Sequence, residues 1–307
     1  MEAFGMLVDF NPDSLIYEVS IEEAGLPVSE ILSAKMKLSS RGIRRAKSKK
    51  LLTKNGKKTT ASELVSAGDR IRVGFEKEKN IFEPQESIPI EVVYEDCDVL
   101  VINKQPFVVV HPTKGHPNGT IGNGVAAYFL SSGDNRKIRF INRLDRDTSG
   151  LMLIAKNSYA QQAISDQMIN NTVKKGYRAI VKGIMIEPEG TMNYPIDREN
   201  EGDILRKVLP DGLPSVTHYK MLKSFETYSF VEILLETGRT HQIRVHFTHV
   251  GHCLIGDELY GGDHELINRQ ALHCYEMIFN QPRTGETIHL TCPCPEDMKD
   301  LLGGWKE

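Results

Sequence analysis

Residues 142–150 read NRLDRDTSG, and the fold turns on how this stretch is read. Asp145 stands between Arg143 and Arg146 and is followed at once by the turn-forming run Asp147, Thr148, Ser149, Gly150. The flanking segments KIRFI and LMLIAK have the β-branched, apolar character of short strands. Asp145 therefore falls at a strand-to-turn transition, where a rigid scaffold presents functional side chains. In an extended chain Asp145 and Asp147 face the same side, because strand side chains alternate. They could then form the acid and base pair of a glycosidase. Alternatively Asp145 alone could act as a nucleophile or base at a sugar carbon, or simply cap its own turn.

Outward from this stretch the pattern stays strand-rich. EVVYEDCDVLVINKQPFVVVHP reads as two strands around a tight turn at Asp96 to Asp98, and VKKGYRAIVKG, THYKMLKSF and YSFVEILLET as three more. Asn157 or Ser158 caps a helix through about Asn170, THQIRVHFTHVG turns helical with Gly251 as its stop, and PEDMKDLL is a short helix started by proline. Strands joined by short turns with few helices between them predict an α+β fold with a mostly antiparallel mixed sheet flanked by helices. Ahead of it, residues 6–20 predict a hairpin around NPDS, and VSEILSAKMKLSSRGIRRAKSKKLL two short helices broken at SSRG. A turn at NGKK and a strand at SAGDRIRVGF follow. The polar, proline-marked segment 76–89 is read as a linker between a small α/β domain over 1–75, with its core at about 27–75, and a larger domain over 90–307.

The net charge of −3 hides an asymmetry. Between Lys35 and Lys58 there are eleven Lys or Arg and no acid, which leaves 27 basic against 41 acidic residues elsewhere. Lys35, Lys37, Arg41, Arg44, Arg45, Lys47, Lys49 and Lys50, mixed with periodic apolar residues, point to a folded nucleic-acid footprint. No window approaches the roughly 18 apolar residues of a membrane span, and the start lacks the basic and apolar regions of a leader. Five cysteines with no CxxC pair fit free thiols, so a soluble cytoplasmic protein is expected.

Two further stretches carry chemistry. In TGRTHQIRVH, residues 237–246, a Gly-Arg turn between strand and helix presents Arg239, whose planar fork suits a carboxylate and would keep a partly buried acid ionised. His241, His246, His249 and His252 spread around a helix with no Cys or carboxylate to complete a ligand set, so no metal is expected. In KKGYRAIVKG, residues 174–183, Tyr177 is either a core ring with its hydroxyl at the rim or an aromatic surface on which an RNA base stacks.

Together these stretches resemble the RluA-type pseudouridine synthase family. Its catalytic signature, His-Arg-Leu-Asp-x-x-Thr-Ser-Gly, is matched by NRLDRDTSG with Asn142 in the histidine place. KKGYRAIVKG and TGRTHQIRVHF, followed by GHCLIGDELYG, match its later motifs. INKQPFVVVHP resembles its Asn-Lys-Pro-x-Gly-x-x-x-His-Pro, with Gln105 for the first proline and Phe107 for the glycine. The resemblance covers roughly residues 90–303. The basic unit is similar, more loosely, to the small RNA-binding domain of a ribosomal small-subunit protein.

The resemblance implies that Asp145 is the catalytic aspartate, Tyr177 the ring against the target uracil and Arg239 the partner of the Asp145 carboxylate. Arg143 would fill the gap left by a flipped-out uridine, Ile243 would wall the pocket, and Arg146 would contact RNA. Isomerising uridine oxidises nothing and consumes no water, so no cofactor is expected. Ribosomal RNA is the favoured substrate and transfer RNA the second, with the enzyme acting as a monomer. An RNA-binding assembly protein without catalysis is the competing reading.

Overall fold

Two sheets organise the chain, each over its own apolar core. The structure, a computed structural model, describes residues 6–7, 11–113, 115 and 117–303. Strands β1 (Met6–Leu7), β2 (Ser14–Glu18), β3 (Leu52–Lys54), β4 (Lys57–Lys58) and β5 (Arg70–Gly74) form an antiparallel sheet in the order β1-β2-β5-β3-β4. Ile71 and Val73 point inward while Arg70 and Arg72 point to solvent, as strand alternation requires. Against the inner face pack α1 (Val28–Glu30), the π-helical turn Ile31–Lys35 that continues it, and α2 (Ser40–Ser48). The serines of SSRG begin α2 rather than break it: Ser39 is the N-cap, its side chain accepting from the Gly42 amide at 3.2 Å. The expected hairpin is β1 and β2, although residues 8–10 lie outside the described residues.

The second sheet contains β6 (Glu91–Glu95), β7 (Val99–Lys104), β8 (Arg139–Phe140), β9 (Ser149–Ala155), β10 (Lys174–Lys182), β11 (Glu189–Asn193), β14 (Val216–Ser224), β15 (Tyr228–Leu235), β16 (Leu272–Asn280) and β17 (Thr287–Thr291). A separate ribbon is formed by β12 (Ile196–Asp197) and β13 (Lys207–Val208). The main path runs β11-β14-β15-β10-β16-β9-β7-β6. Helices α3 (Ile121–Ser131), α4 (Ser158–Ile169), α5 (Gln242–His249) and α6 (Glu296–Leu302) flank it. Its pairings are antiparallel except β9 with β16, where Ser149 and Gly150 lie beside His273 and Cys274. The architecture is the α+β fold expected from the sequence.

That parallel joint explains the glycine of NRLDRDTSG. Gly150 has φ +113°, and a Cβ there would meet the Cys274 carbonyl oxygen at 2.2 Å. Only glycine lets the two backbones approach so closely while adopting this conformation.

Helix α3 was not legible, because Gly122 and Gly124 weaken its helical signal. Their reason is packing: a Cβ on Gly124 would lie 2.6 Å from the Ile88 carbonyl. The segment expected to be a linker is in fact laid against this helix. The Asn123 amide donates to Glu83 O at 2.8 Å, and Gln85 N donates to Asn123 O at 3.0 Å.

The two sheets are joined by buried polar contacts. Arg283 grips Asp98 at 2.7 and 2.9 Å, with both side chains almost wholly buried. The same guanidinium donates to Ser14 O at 3.0 Å and Asn11 O at 2.9 Å in the first unit. Phe75 stacks on Tyr159 at 6.2 Å. Glu78 receives Arg45 at 2.6 Å from the first unit, and Lys137 at 2.8 Å and Arg139 at 3.2 Å from the second. Burial pushes the Glu78 carboxyl up, but the hydrogen bonds from Lys137 and Arg45 and the charge of Arg139 outweigh it and hold it at about 2.

Glu78→Gln removes the anion facing Arg139, which is 7% exposed, and urea denaturation at neutral pH should show a loss of about 1–3 kcal/mol. A depressed carboxyl stabilises above its unfolded value of about 4 and loses that effect as it protonates. The stabilities of wild type and Glu78→Gln should therefore converge as pH falls from about 4 toward about 2.

Candidate active site

A cavity of about 550 Å³ is lined mainly by three pieces of chain, the loop before β9, the start of α5 and the segment before β16, and is completed by Val109, Val110, His111, Thr113 and Ile204. Its volume is that of a small-molecule site. Arg143, Asp145, Arg146 and Asp147 line it from the first piece, His241 and Arg244 from the second, Arg269 and Gln270 from the third.

Asp145 keeps 22% of its side chain exposed and accepts a hydrogen bond at Oδ2 from Arg244 Nη1 at 3.1 Å. Arg244 is itself buried. Its Nε and Nη2 donate to the two oxygens of Asp257 at 2.7 Å each, and Tyr260 covers its guanidinium at 4.9 Å. Burial lowers the Arg244 pKa, but hydrogen bonding and charge from Asp257 and Asp145 outweigh this and raise it. The carboxylate thus faces a permanent cation through one oxygen. Among the described residues Oδ1 has no hydrogen-bond partner. His241 Nε2 lies 3.7 Å from Oδ2. Asp147, by contrast, is held by its neighbour Arg146 at 2.7 and 2.9 Å.

The loop carrying Asp145 is held by its backbone carbonyls. Lys104, at the end of β7 and fully buried, donates to Arg146 O at 2.7 Å, Thr148 O at 2.8 Å and Gln105 O at 2.9 Å. Burial pulls its pKa down to about 7, against the attraction of Asp147 and Asp145. Arg269, paired with Asp297 at 2.6 and 2.9 Å, donates to Asp147 O at 3.1 Å. Gln270 donates to the Thr148 hydroxyl at 3.2 Å. Asn142 accepts from Leu153 N at 2.8 Å and so ties the start of the loop to β9.

The chain is similar to known proteins. A family model described as RNA pseudouridylate synthase matches residues 98–249. The chain is 42% identical over 252 residues to an RNA pseudouridine synthase of Bacillus subtilis strain 168, YjbO, covering 81% of this chain and 89% of the relative. The chain belongs to the RluA-type RNA pseudouridine synthase family. It is also 37% identical over 258 residues to ribosomal large subunit pseudouridine synthase D of Haemophilus influenzae, covering 80% of this chain and 79% of the relative. The solved structure of human RNA pseudouridylate synthase domain containing 1 superposes with a TM-score of 0.56 at 27% identity, over 69% of this chain and 86% of that one.

Several expectations need correcting for this synthase. Arg239 does not meet Asp145: it is exposed in the turn before α5, where its Nε donates to Pro214 O at 3.2 Å. The arginine that does is Arg244, one turn further on, carried inward by the helix with Ile243 and Val245. Ile243 packs in the core rather than lining the cavity. Tyr177 is buried, not at a rim, and burial, then Cys274 and the charge of Asp145, push its phenol well above the ordinary value. Arg143 is exposed on the cavity wall and Arg146 is exposed in its pair with Asp147. The histidines separate: His246 bonds Thr217 and Tyr194 O, His249 packs on Tyr194, and His252 bonds Lys182 O.

The basic unit also divides. Arg45 and Lys49 are neutralised by Glu76 and Glu78, and Lys35 by Glu23, so these three act within the fold rather than as free cations. Lys37, Arg41, Arg44, Lys47 and Lys50 have no ion pair among the described residues. Lys104, Arg244, Asp257 and Arg269 escaped the sequence reading; the available signal was charge set inside apolar runs, as in VLVINK and QIRVHF.

Lys104→Met removes the donor shared by three carbonyls, that of Thr148 buried and those of Gln105 and Arg146 partly so, and chemical denaturation should show a loss of about 2–3 kcal/mol. Asp145 loses its positioned loop in the same variant, and turnover should fall further than stability alone explains, measured well below the unfolding transition.

Proposed function

We propose that this synthase isomerises uridine to pseudouridine in structured RNA, with large-subunit ribosomal RNA as substrate and Asp145 as its catalytic carboxylate. The observation that carries this is the asymmetry of that carboxylate, which lines the cavity: Oδ2 is pinned by buried Arg244, and Oδ1 has no hydrogen-bond partner among the described residues. The substrate assignment is supported by the Haemophilus influenzae relative, whose name specifies the ribosomal large subunit.

The chemistry follows from that placement. The bond from the ribose anomeric carbon to ring N1 must break, the uracil turn, and ring C5 join the sugar while its proton leaves. Oδ1 can attack the anomeric carbon or take the neighbouring sugar proton, while Arg244 holds the other oxygen in place for either. A target within folded RNA has to be unstacked to reach the cavity, at a cost of a few kcal/mol. Arg143, exposed at the rim, is placed to fill the vacated position. Tyr177 packs in the core and is absent from the cavity lining, and burial raises its phenol further above the ordinary value, which disfavours it as a base for the C5 proton. Lys37, Arg41, Arg44, Lys47 and Lys50 supply sequence-independent contacts to phosphates.

The test uses ribosomal and transfer RNA transcripts tritiated at C5 of uracil. Wild type should release tritium from ribosomal RNA, and Asp145→Asn should release none. Binding without release from any RNA would support a non-catalytic RNA-binding role, and release from transfer RNA alone would overturn the substrate assignment. In filter binding, Arg44→Ala should weaken RNA affinity and reduce the magnitude of the salt slope by about 1. Arg45→Ala should act mainly on stability, because its charge is already spent on Glu76 and Glu78.

A further inference from the structure

Among the described residues that line the cavity, His241 is the one non-glycine with a left-handed backbone, with φ 59° and ψ 16°. A non-glycine residue in this region is uncommon and persists where its surroundings over-determine it, often at functional sites. The surroundings here are specific. Its Nδ1 lies 2.9 Å from the Tyr260 hydroxyl, and that same hydroxyl accepts the backbone N–H of Arg206 at 2.9 Å. With Arg206 donating, the Tyr260 proton is free to go to Nδ1 of His241. Nδ1 is then an acceptor, and the neutral ring carries its proton on Nε2. Nε2 is the nitrogen 3.7 Å from Asp145 Oδ2.

Resting on the function proposed above, we propose that His241 is a positioning residue for Asp145. Held by Tyr260 as a neutral Nε2–H donor, it steadies Oδ2 together with Arg244 and leaves Oδ1 for the substrate. The separation of 3.7 Å is longer than a hydrogen bond, and catalytic contacts of this kind shorten when substrate binds. The charged and titratable groups around the ring are Asp145 from the loop before β9, Arg244 from α5, Asp257 and Tyr260 after it, and Arg206 before β13. Burial lowers the ring's pKa, Asp145 and Asp257 raise it, Arg244 and Arg206 lower it, and the outcome lies below the ordinary value, so the ring is neutral at physiological pH. A neutral donor orients the carboxylate without adding a second full charge to the one Arg244 already supplies. A protonated ring would break the Tyr260 donation and draw the carboxylate toward itself.

The experiment measures kcat, KM and the pH profile of tritium release with the full chain. Asparagine tolerates the left-handed conformation, so His241→Asn keeps the backbone. It should lower kcat roughly hundredfold with KM for RNA little changed. The wild-type acid limb, set by protonation of His241, should disappear in this variant, leaving kcat flat to lower pH. Tyr260→Phe keeps His241 but frees its tautomer, and should give a smaller kcat loss, again with KM preserved. Wild-type kcat in both variants, an unchanged acid limb in His241→Asn, or a loss confined to KM would each overturn the role. Absence of release by wild type would instead overturn the function on which the role rests.

Discussion

A single buried guanidinium has two carboxylates to serve, and the active site takes its geometry from how it divides itself. Arg244 gives its Nε and Nη2 edge to Asp257 and has only Nη1 left for Asp145. The bidentate pair fixes the plane of the fork, and an isolated contact to one oxygen could not do so. A buried cation is tolerated only when its donors are satisfied, so Asp257 is what allows Arg244 to stand behind the Asp145 loop at all. Asp145 receives half a grip, which leaves it oriented and partly exposed.

The loop itself owes its shape to cations that read backbone rather than side chains. Lys104 and Arg269 reach Arg146, Asp147 and Thr148 through their carbonyls, so the conformation survives whatever Asp145 does during a reaction. Gly150 then turns the chain into β9 at the parallel joint with β16. Four residues lie between the Asp145 carboxylate and Gly150 at the joint.

Periodicity made β6, β7, β9, β10, β14, β15 and α4, α5 and α6 readable, because their apolar residues recur at the spacing of the element that buries them, while β16, between β10 and β9, went unread. It failed at α3, where close packing on Ile88 demands glycines that local propensity counts against a helix. Asp145 was legible because its motif is compact. Arg244 was not, because choosing between two arginines in TGRTHQIRVH depends on where the turn ends and the helix starts, a difference of one or two residues. Phe107 shows the reverse case: its place resembles a glycine position in the family motif, and its φ of 67° is the reason a glycine suits it.

The riveted junction also bears on recognition. Arg283 ties Asp98 in the larger unit to the backbone of residues 11 and 14 in the smaller one, and Glu78 gathers cations from both. The interval between the basic face and the catalytic cavity is therefore a property of the protein, set before any RNA arrives. Such a molecule works as a gauge: an RNA can occupy both surfaces together only if its own backbone spans that interval, and the compliance has to come from the nucleic acid.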